Sequence, residues 1–163
     1  MKKFLFAAAA IMCAVLLSVN LTSCGKEDKE PIAAIYSIEC NIDNETHSVA
    51  AKPDEMAQAE ANYQALHSEL INILNVESWT VDFNNKNQNE VLNREDENAK
   101  KKFDDMIAKV NAFKVKLDNL DKTQAKNQFN WDFNADVTCK RAGLNIDKSI
   151  ATQKVAIHYT GND

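Results

Sequence analysis

One segment alternates so strictly between apolar and polar residues that it predicts a β-strand with a single buried face. Between Phe129 and Lys140 the odd positions are apolar and the even positions are polar or charged. This period of two is that of a strand whose two faces differ in their surroundings. The odd set is Phe129, Trp131, Phe133, Ala135, Val137 and Cys139, and the even set is Asn130, Asp132, Asn134, Asp136, Thr138 and Lys140.

Three further segments share this period. Apolar residues occupy the even positions from Ile32 to Ile42 and the odd positions from Trp79 to Phe83. A last alternation covers Lys154 to Tyr159, and the residues around Gly143 predict the turn that precedes it. The chain therefore contains four predicted strands.

Two helical patterns lie between these strands. The first begins near Pro53, a residue that suits the first turn of a helix, and the second begins in the acidic stretch Glu95 to Glu97. Each pattern has one apolar stripe, so each helix should bury one side only. The first stripe is Met56, Tyr63, Leu66, Leu70 and Ile73, and the second is Phe103, Met106, Ile107, Val110, Phe113, Leu117 and Leu120.

A sheet with one apolar face and two helices with single stripes can hide their apolar surface if both helices cover the same sheet face. The patterns therefore predict an α+β fold, a two-layer open-faced sandwich in the order βαβαββ. Right-handed crossovers to one side predict a four-stranded mixed sheet. Its first three strands would be parallel neighbours in sequence order, and its last strand would be antiparallel.

The amino terminus has the organisation of a secretory signal. Lys2 and Lys3 precede an apolar run from Phe4 to Val19, which is shorter than the roughly 20 residues of a membrane-spanning helix. After that run, Leu21-Thr22-Ser23-Cys24-Gly25 resembles the lipobox of bacterial lipoproteins that are cut by the type II signal peptidase. The resemblance implies cleavage before Cys24 and acylation of that cysteine, for example by palmitate.

The residues after Cys24 suggest a destination. In the enterobacterial scheme an aspartate at the position of Gly25 would retain a lipoprotein in the inner membrane, so glycine favours the outer membrane. Lys26-Glu27-Asp28 is similar to the short acidic export signal of surface-exposed lipoproteins of Bacteroidota, although a solvated linker would have the same composition. We therefore expect residues 1–23 to be removed and residues 24–31 to form an acylated cysteine with a short linker. Residues 32–163 would form a single α+β domain near the membrane.

Charge and size narrow the classes of partner. Removal of the leader takes away two lysines and no acid, so the net charge changes from −5 to −7. This sign disfavours nucleic acid as a partner. The remaining 140 residues are the size of one ordinary domain. Membrane contact would occur through the lipid anchor, and the oligomeric state is left open.

Cys40 and Cys139 are the two cysteines that remain for redox chemistry once Cys13 is removed and Cys24 is acylated. Both lie on the apolar phase of their strands, so a disulfide between them and two buried thiols are both compatible with the pattern. In the predicted strand order the first and third strands would be about 10 Å apart, which favours free thiols.

The polar phase of the strands supplies the candidate binding face: Asp82, Asn84, Asn130, Asp132, Asn134 and Asp136. Such a face would suit a basic protein or a glycan. Paired carboxylates such as Asp82 and Asp132 could also serve a hydrolase, but a flat, hydrated face does not readily raise a carboxyl pKa. We expect a binding face and no catalytic residues.

No motif for a metal, a nucleotide or another cofactor is present, and the three histidines do not have metal-ligand spacing. The favoured interpretation is a non-enzymatic, lipid-anchored binding module on the outer membrane, exposed at the cell surface, with an unidentified protein or glycan partner. The alternatives are a small carboxylate-dependent hydrolase and a structural envelope lipoprotein that faces the periplasm.

Overall fold

The computed structural model describes residues 33–83, 87–143 and 147–161. Cys24, Asn84 and the proposed leader and linker lie outside the described residues. The elements follow one another as β1 (Ala33–Val49), α1 (Met56–Ile73), β2 (Glu77–Asp82), α2 (Gln88–Asp118), one 3₁₀ turn (Ala125–Asn127), β3 (Phe129–Ala142) and β4 (Lys148–Thr160). The α+β class and the order βαβαββ are thus confirmed.

The four strands form one open sheet in the order β2-β1-β3-β4, and every neighbouring pair is antiparallel. The prediction of a mixed sheet with strands in sequence order is therefore wrong. β1 is a central strand, because it pairs with β2 through Ala33 to Ile38 and with β3 through Ile35 to Val49. β3 is the second central strand and pairs with β4 along most of its length.

The lengths of the elements explain this topology. β1 has 17 residues and spans about 56 Å, whereas the 18 residues of α1 span only about 27 Å. A chain that leaves the end of β1 and returns through α1 reaches only the middle of that strand. β2 continues the return in the same direction, from Ile38 toward Ala33, and is consequently antiparallel to β1.

The same arithmetic accounts for β3. The 31 residues of α2 and the 14 residues of β3 both span about 46 Å, so α2 carries the chain back along the whole sheet before β3 begins opposite Val49. The predicted β1, Ile32 to Ile42, lacks the seven polar-rich residues that lengthen the strand. At 11 residues it would span about 36 Å, which is closer to the length of α1 and would allow a parallel crossover.

A β-bulge interrupts β1. The pairing with β3 moves from Ile42 opposite Ala135 to Asn44 opposite Asn134, so Asp43 has no partner of its own in the register. An extra residue shifts the alternation of a strand by one. Inward positions are therefore even before the bulge, as at Tyr36 and Ile38, and odd after it, as at Glu45.

Buried residues of the sheet and of both helices form one hydrophobic core. Trp131 is its centre and is fully buried, with edge-on ring contacts to Tyr63 of α1 and Phe113 of α2. The inward phase of β3 is buried as predicted from Phe129 to Cys139. α2 starts earlier than predicted, at Gln88, and its additional first turns add Val91 to the core.

Candidate functional site

The polar phase of β3 forms an open surface in the structure. Asn130, Asp132 and Asp136 are half-buried and Asn134 is exposed, all on the phase opposite to the buried one. These four predicted residues are brought together on one strand. The fifth, Asp82, lies opposite Ala33, whereas Asp132 lies opposite Thr46 at the other end of β1.

This separation removes the carboxylate pair considered from the sequence. Thirteen residues of strand between Ala33 and Thr46 correspond to about 40 Å. Two carboxylates that hydrolyse a glycosidic bond lie within roughly 10 Å of each other. Asp82 and Asp132 therefore cannot act on one bond. The strand order places β1 between their two strands, and the two residues lie opposite different ends of β1.

The acids of this face are paired with bases on neighbouring strands. Asp132 contacts Nδ1 of His158 at 2.5 Å, and Asp136 lies 3.7 Å from Nζ of Lys154. Glu39 on β1 makes an ion pair with Lys140 at 2.8 Å. These pairs reduce the attraction that the face would exert on a basic partner. The rest of this polar surface consists mainly of amide and hydroxyl groups.

The two cysteines are free in the structure. β1 and β3 are direct neighbours, and Cys40 lies opposite Val137, two residues from Cys139. The expectation of a strand between them is thus wrong, but a diagonal pair is separated by about 7 to 8 Å between Cα atoms, beyond ordinary disulfide geometry. Burial raises the pKa of Cys40. Burial, with the charges of Asp96 and Glu77, raises the pKa of Cys139 to about 11, so this thiol is protonated at neutral pH.

A cluster around Glu45 went unrecognised in the sequence. One oxygen of this carboxylate, Oε1, accepts hydrogen bonds from the Tyr63 hydroxyl at 3.1 Å and from Nε1 of Trp131 at 3.0 Å, and it lies 3.1 Å from Nε2 of His67. His47 stacks on Tyr63 with ring centroids 3.9 Å apart and contacts Glu60 at 3.4 Å. The bulge at Asp43 turns Glu45 inward, and no residue pattern signals a bulge at that position.

The environment of this cluster suits a structural role. Burial, together with the nearby carboxylates of Glu45 and Glu60, raises the pKa of the Tyr63 hydroxyl, so this group remains a hydrogen-bond donor at neutral pH. Two histidine–carboxylate contacts then join the second half of β1 to one side of α1. The cluster ties a helix to a strand edge.

A second cluster surrounds Asp96 of α2. Its carboxylate accepts hydrogen bonds from Tyr36 at 2.9 Å, from Arg141 at 3.0 and 3.2 Å, and from Lys148 at 2.8 Å. Asp96 thereby connects α2 to three strands. Arg141 occupies the next inward position of β3 after Cys139. A charged residue at an inward position indicates that an acidic partner lies nearby, and this feature of the sequence could have predicted the cluster.

An open groove of about 700 Å³ lies between α1 and α2 beside β2. Ile38, Ile73 and Met106 contribute apolar surface, and Glu69 and Lys102 are among the charged residues around it. Lys102 bonds to Glu77 at 3.1 Å and stacks over Trp79 at 4.3 Å from the ring centroid. These partners hold the lysine side chain across the groove and against β2.

Within residues 33–83, 87–143 and 147–161, no three His, Cys, Asp or Glu side chains are grouped so that they could hold a metal ion. None of the helices in these ranges is long and apolar enough to span a membrane. Comparison of the chain with protein-family models, with curated proteins and with solved structures finds no significant match.

Proposed function

We propose that the chain is a lipid-anchored binding protein of an outer membrane, attached through acylated Cys24 and displayed at the cell surface. The lipobox Leu21-Thr22-Ser23-Cys24 carries the proposal for the anchor. The binding role is supported by the wide polar surface of the sheet, whose side chains are suited to contact with water. The partner would be a protein or a glycan.

We also propose that the domain is a two-layer open-faced sandwich, with both helices on one side of the sheet. Tyr63 and Phe113, from different helices, contact the same inward ring of Trp131, which supports this arrangement. The opposite side of β3 remains half-buried to exposed. A domain of this form offers one large face that its own helices do not cover.

The state of the reactive side chains supports a role in binding rather than in catalysis. Both thiols have raised pKa values, which disfavours the nucleophilic thiolate. His47, His67 and His158 each contact a carboxylate on a neighbouring element. These contacts link neighbouring strands and helices. They also engage the histidine and carboxylate side chains that acid/base catalysis would use.

The anchor is tested by metabolic labelling in the source cells. We expect radiolabelled palmitate to enter the full-length protein, and a Cys24→Ala variant to remain unlabelled and to leave the membrane fraction. A Cys13→Ala variant is the matched control, because Cys13 lies inside the leader and should not affect labelling. Equal labelling of wild type and Cys24→Ala would overturn the anchor.

Surface display is tested separately with protease added to intact cells. A surface-exposed domain should be digested, whereas the alternative, a structural lipoprotein facing the periplasm, predicts protection until the outer membrane is permeabilised. Full protection in intact cells would replace surface display by the periplasmic alternative.

The binding face is tested by capture from envelope fractions with the full chain in mild detergent. Asn130→Ala together with Asn134→Ala should weaken capture of a partner, since both amides lie on the polar surface of β3. Lys100→Ala is the matched control on the solvated side of α2. Unchanged capture by the double variant would remove this face as the binding site.

A further inference from the structure

The second half of β1 has a sheet neighbour on one side only, among the residues that the structure describes. β2 pairs with β1 no further than Ile38, whereas β3 pairs with it as far as Val49. Eleven residues, Glu39 to Val49, therefore have an edge to which no strand of the described ranges is paired. Such an edge carries backbone N–H and C=O groups that can template pairing with another chain.

One side of α1 lies along this edge. Glu60 contacts His47 and His67 contacts Glu45, so the side of the helix that carries Glu60 and His67 faces the second half of β1. Met56 lies four residues before Glu60, and Ile71 lies four residues after His67. Residues four apart share a helix side, so Met56 and Ile71 lie on this side as well.

These positions gather exposed apolar surface. Six large apolar side chains are exposed among the described residues, and four of them lie at the edge of β1, on the adjoining side of α1 or just before β2. We call the edge from Glu39 to Val49 together with these side chains the β1 ledge. The four exposed apolar side chains are Ile42 (42% exposed), Met56 (46%), Ile71 (36%) and Val76 (57%).

We propose that the β1 ledge binds an extended, basic segment of another protein as an added strand, in line with β2. This proposal goes beyond the proposed function, because it names a second binding surface, apart from the polar face of β3, and a class of partner for it. β2 illustrates the mode, because its Trp79 and Val81 are half-buried against the core while its backbone pairs with β1. An added strand would direct alternate side chains toward Met56 and Ile71, and backbone pairing would supply the rest of the affinity.

The charge around the β1 ledge determines which class of peptide segment it would bind. The stretch from Glu39 to Glu60 contains six acids and a single lysine, Lys52. Among those acids, Asp43, Asp54 and Glu60 are exposed or half-buried around the ledge, and none of them has a lysine or arginine partner within the described part of the chain. A basic segment is therefore attracted, whereas a second copy of this chain would bring two acidic edges together. The bulge at Asp43 further disfavours pairing between identical edges.

The probe is a nine-residue peptide of alternating lysine and valine with blocked ends, titrated into the full chain in mild detergent and followed by fluorescence anisotropy. We expect saturable binding that weakens with added salt. Hydrogen exchange should show increased amide protection within Glu39 to Val49. The same peptide with glutamate in place of lysine, and a peptide N-methylated at alternate residues, should each bind at least about ten-fold more weakly.

Paired variants locate the site. Ile71→Gln and Met56→Gln should each weaken binding by about five- to ten-fold, because each removes apolar surface from the ledge. Val115→Gln is the control, since Val115 is an exposed apolar residue too, at 59%, but lies on α2. Equal effects of Ile71→Gln and Val115→Gln, undiminished binding of the N-methylated peptide, or new protection confined to β4 would each overturn the proposal.

Failure here can be told apart from failure of the proposed function. Absence of peptide binding would refute the ledge and leave palmitate labelling and capture by the polar face unchanged. Peptide binding by a protein that takes up no palmitate would support the ledge and refute only the anchor. Concentration-dependent dimers in sedimentation experiments that exclude the peptide would overturn the proposal in favour of a second copy.

Discussion

The Glu45 carboxylate joins a strand, a helix and the centre of the core through one oxygen atom. Its side chain is 13% exposed, and the donors that meet at Oε1 come from Tyr63 and Trp131, with His67 in contact. Hydrogen bonds to a charged acceptor contribute more than neutral ones, and a buried donor without an acceptor is costly. Glu45 should therefore be among the polar residues on which stability depends most.

We predict that Glu45→Ala lowers the free energy of unfolding by about 2 kcal/mol, because the buried Trp131 N–H and the Tyr63 hydroxyl lose their acceptor. Glu45→Gln retains an acceptor oxygen and should lose less. Urea denaturation measures both. Glu39→Ala is the control, since the contacts of Glu39 are exposed: an ion pair with Lys140, which contributes about 0 to 1 kcal/mol, and a hydrogen bond from the Ser37 hydroxyl. Equal losses for Glu45→Ala and Glu39→Ala would contradict the role assigned to Glu45.

The raised pKa of Tyr36 predicts a loss of stability in alkaline solution. Burial and the hydrogen bond to Asp96 raise its pKa from 10.0 to about 12. Because the folded state keeps a proton that the unfolded chain releases, the stabilisation is complete below pH 10.0 and is lost as the pH rises through about 12. We expect the urea midpoint to fall across this window and to fall less steeply for Tyr36→Phe. Identical pH profiles would exclude this contribution from Tyr36.

Among the elements, α2 is the one held most directly by charge. Asp96 receives bonds from residues of β1, β3 and β4, and its partner Arg141 is 7% exposed. A buried ion pair can be neutral overall, but removal of one member leaves the other charge buried without compensation. The cost of breaking this pair should thus exceed that of any exposed pair on the same helix.

We predict that Asp96→Ala lowers the free energy of unfolding by about 3 to 5 kcal/mol, through the uncompensated charge of Arg141. Asp104→Ala, which breaks the exposed pair with Lys100 four residues away, should cost about 0.3 to 0.5 kcal/mol. Chemical denaturation of the two variants provides the comparison. A loss below 1 kcal/mol for Asp96→Ala would show that Arg141 finds water or another partner.

At the scale of the whole molecule, the two clusters lie at opposite ends of the sheet. Glu45 lies on the second half of β1, whereas Tyr36, which bonds to Asp96, lies nine residues earlier on the same strand, about 30 Å away. No residue belongs to both clusters. They should therefore stabilise one cooperative domain independently.

We predict that the loss of stability in a Glu45→Gln, Asp96→Asn double variant equals the sum of the single losses within about 0.5 kcal/mol. We expect these conservative changes to keep the chain folded, so that all four proteins can be compared by urea denaturation. As a positive control for coupling, Tyr36→Phe with Asp96→Asn should deviate from additivity, because these residues share a hydrogen bond. Coupling above 1 kcal/mol between Glu45 and Asp96 would show that strain passes along β1.

Local patterns specified which elements form and which of their sides are buried. The inward phase of β3, the stripe of α1 from Tyr63 to Leu70 and most of the stripe of α2 follow from alternation and from helical spacing alone. These features depend on neighbouring residues in the chain, and the hydrophobic effect acts on them in any tertiary arrangement that hides one side. The α+β class follows from the same patterns.

The order and direction of the strands, and the residues that meet at each cluster, were decided by tertiary structure. They depend on the full length of β1 and on the bulge at Asp43, and neither leaves a mark in the polar sequence from Asn41 to Ser48. Glu45 faces inward because β3 and α1 supply donors there, and Asp82 is remote from Asp132 because β1 separates their strands. Such contacts join residues distant in sequence, so they exist only once the whole chain has folded.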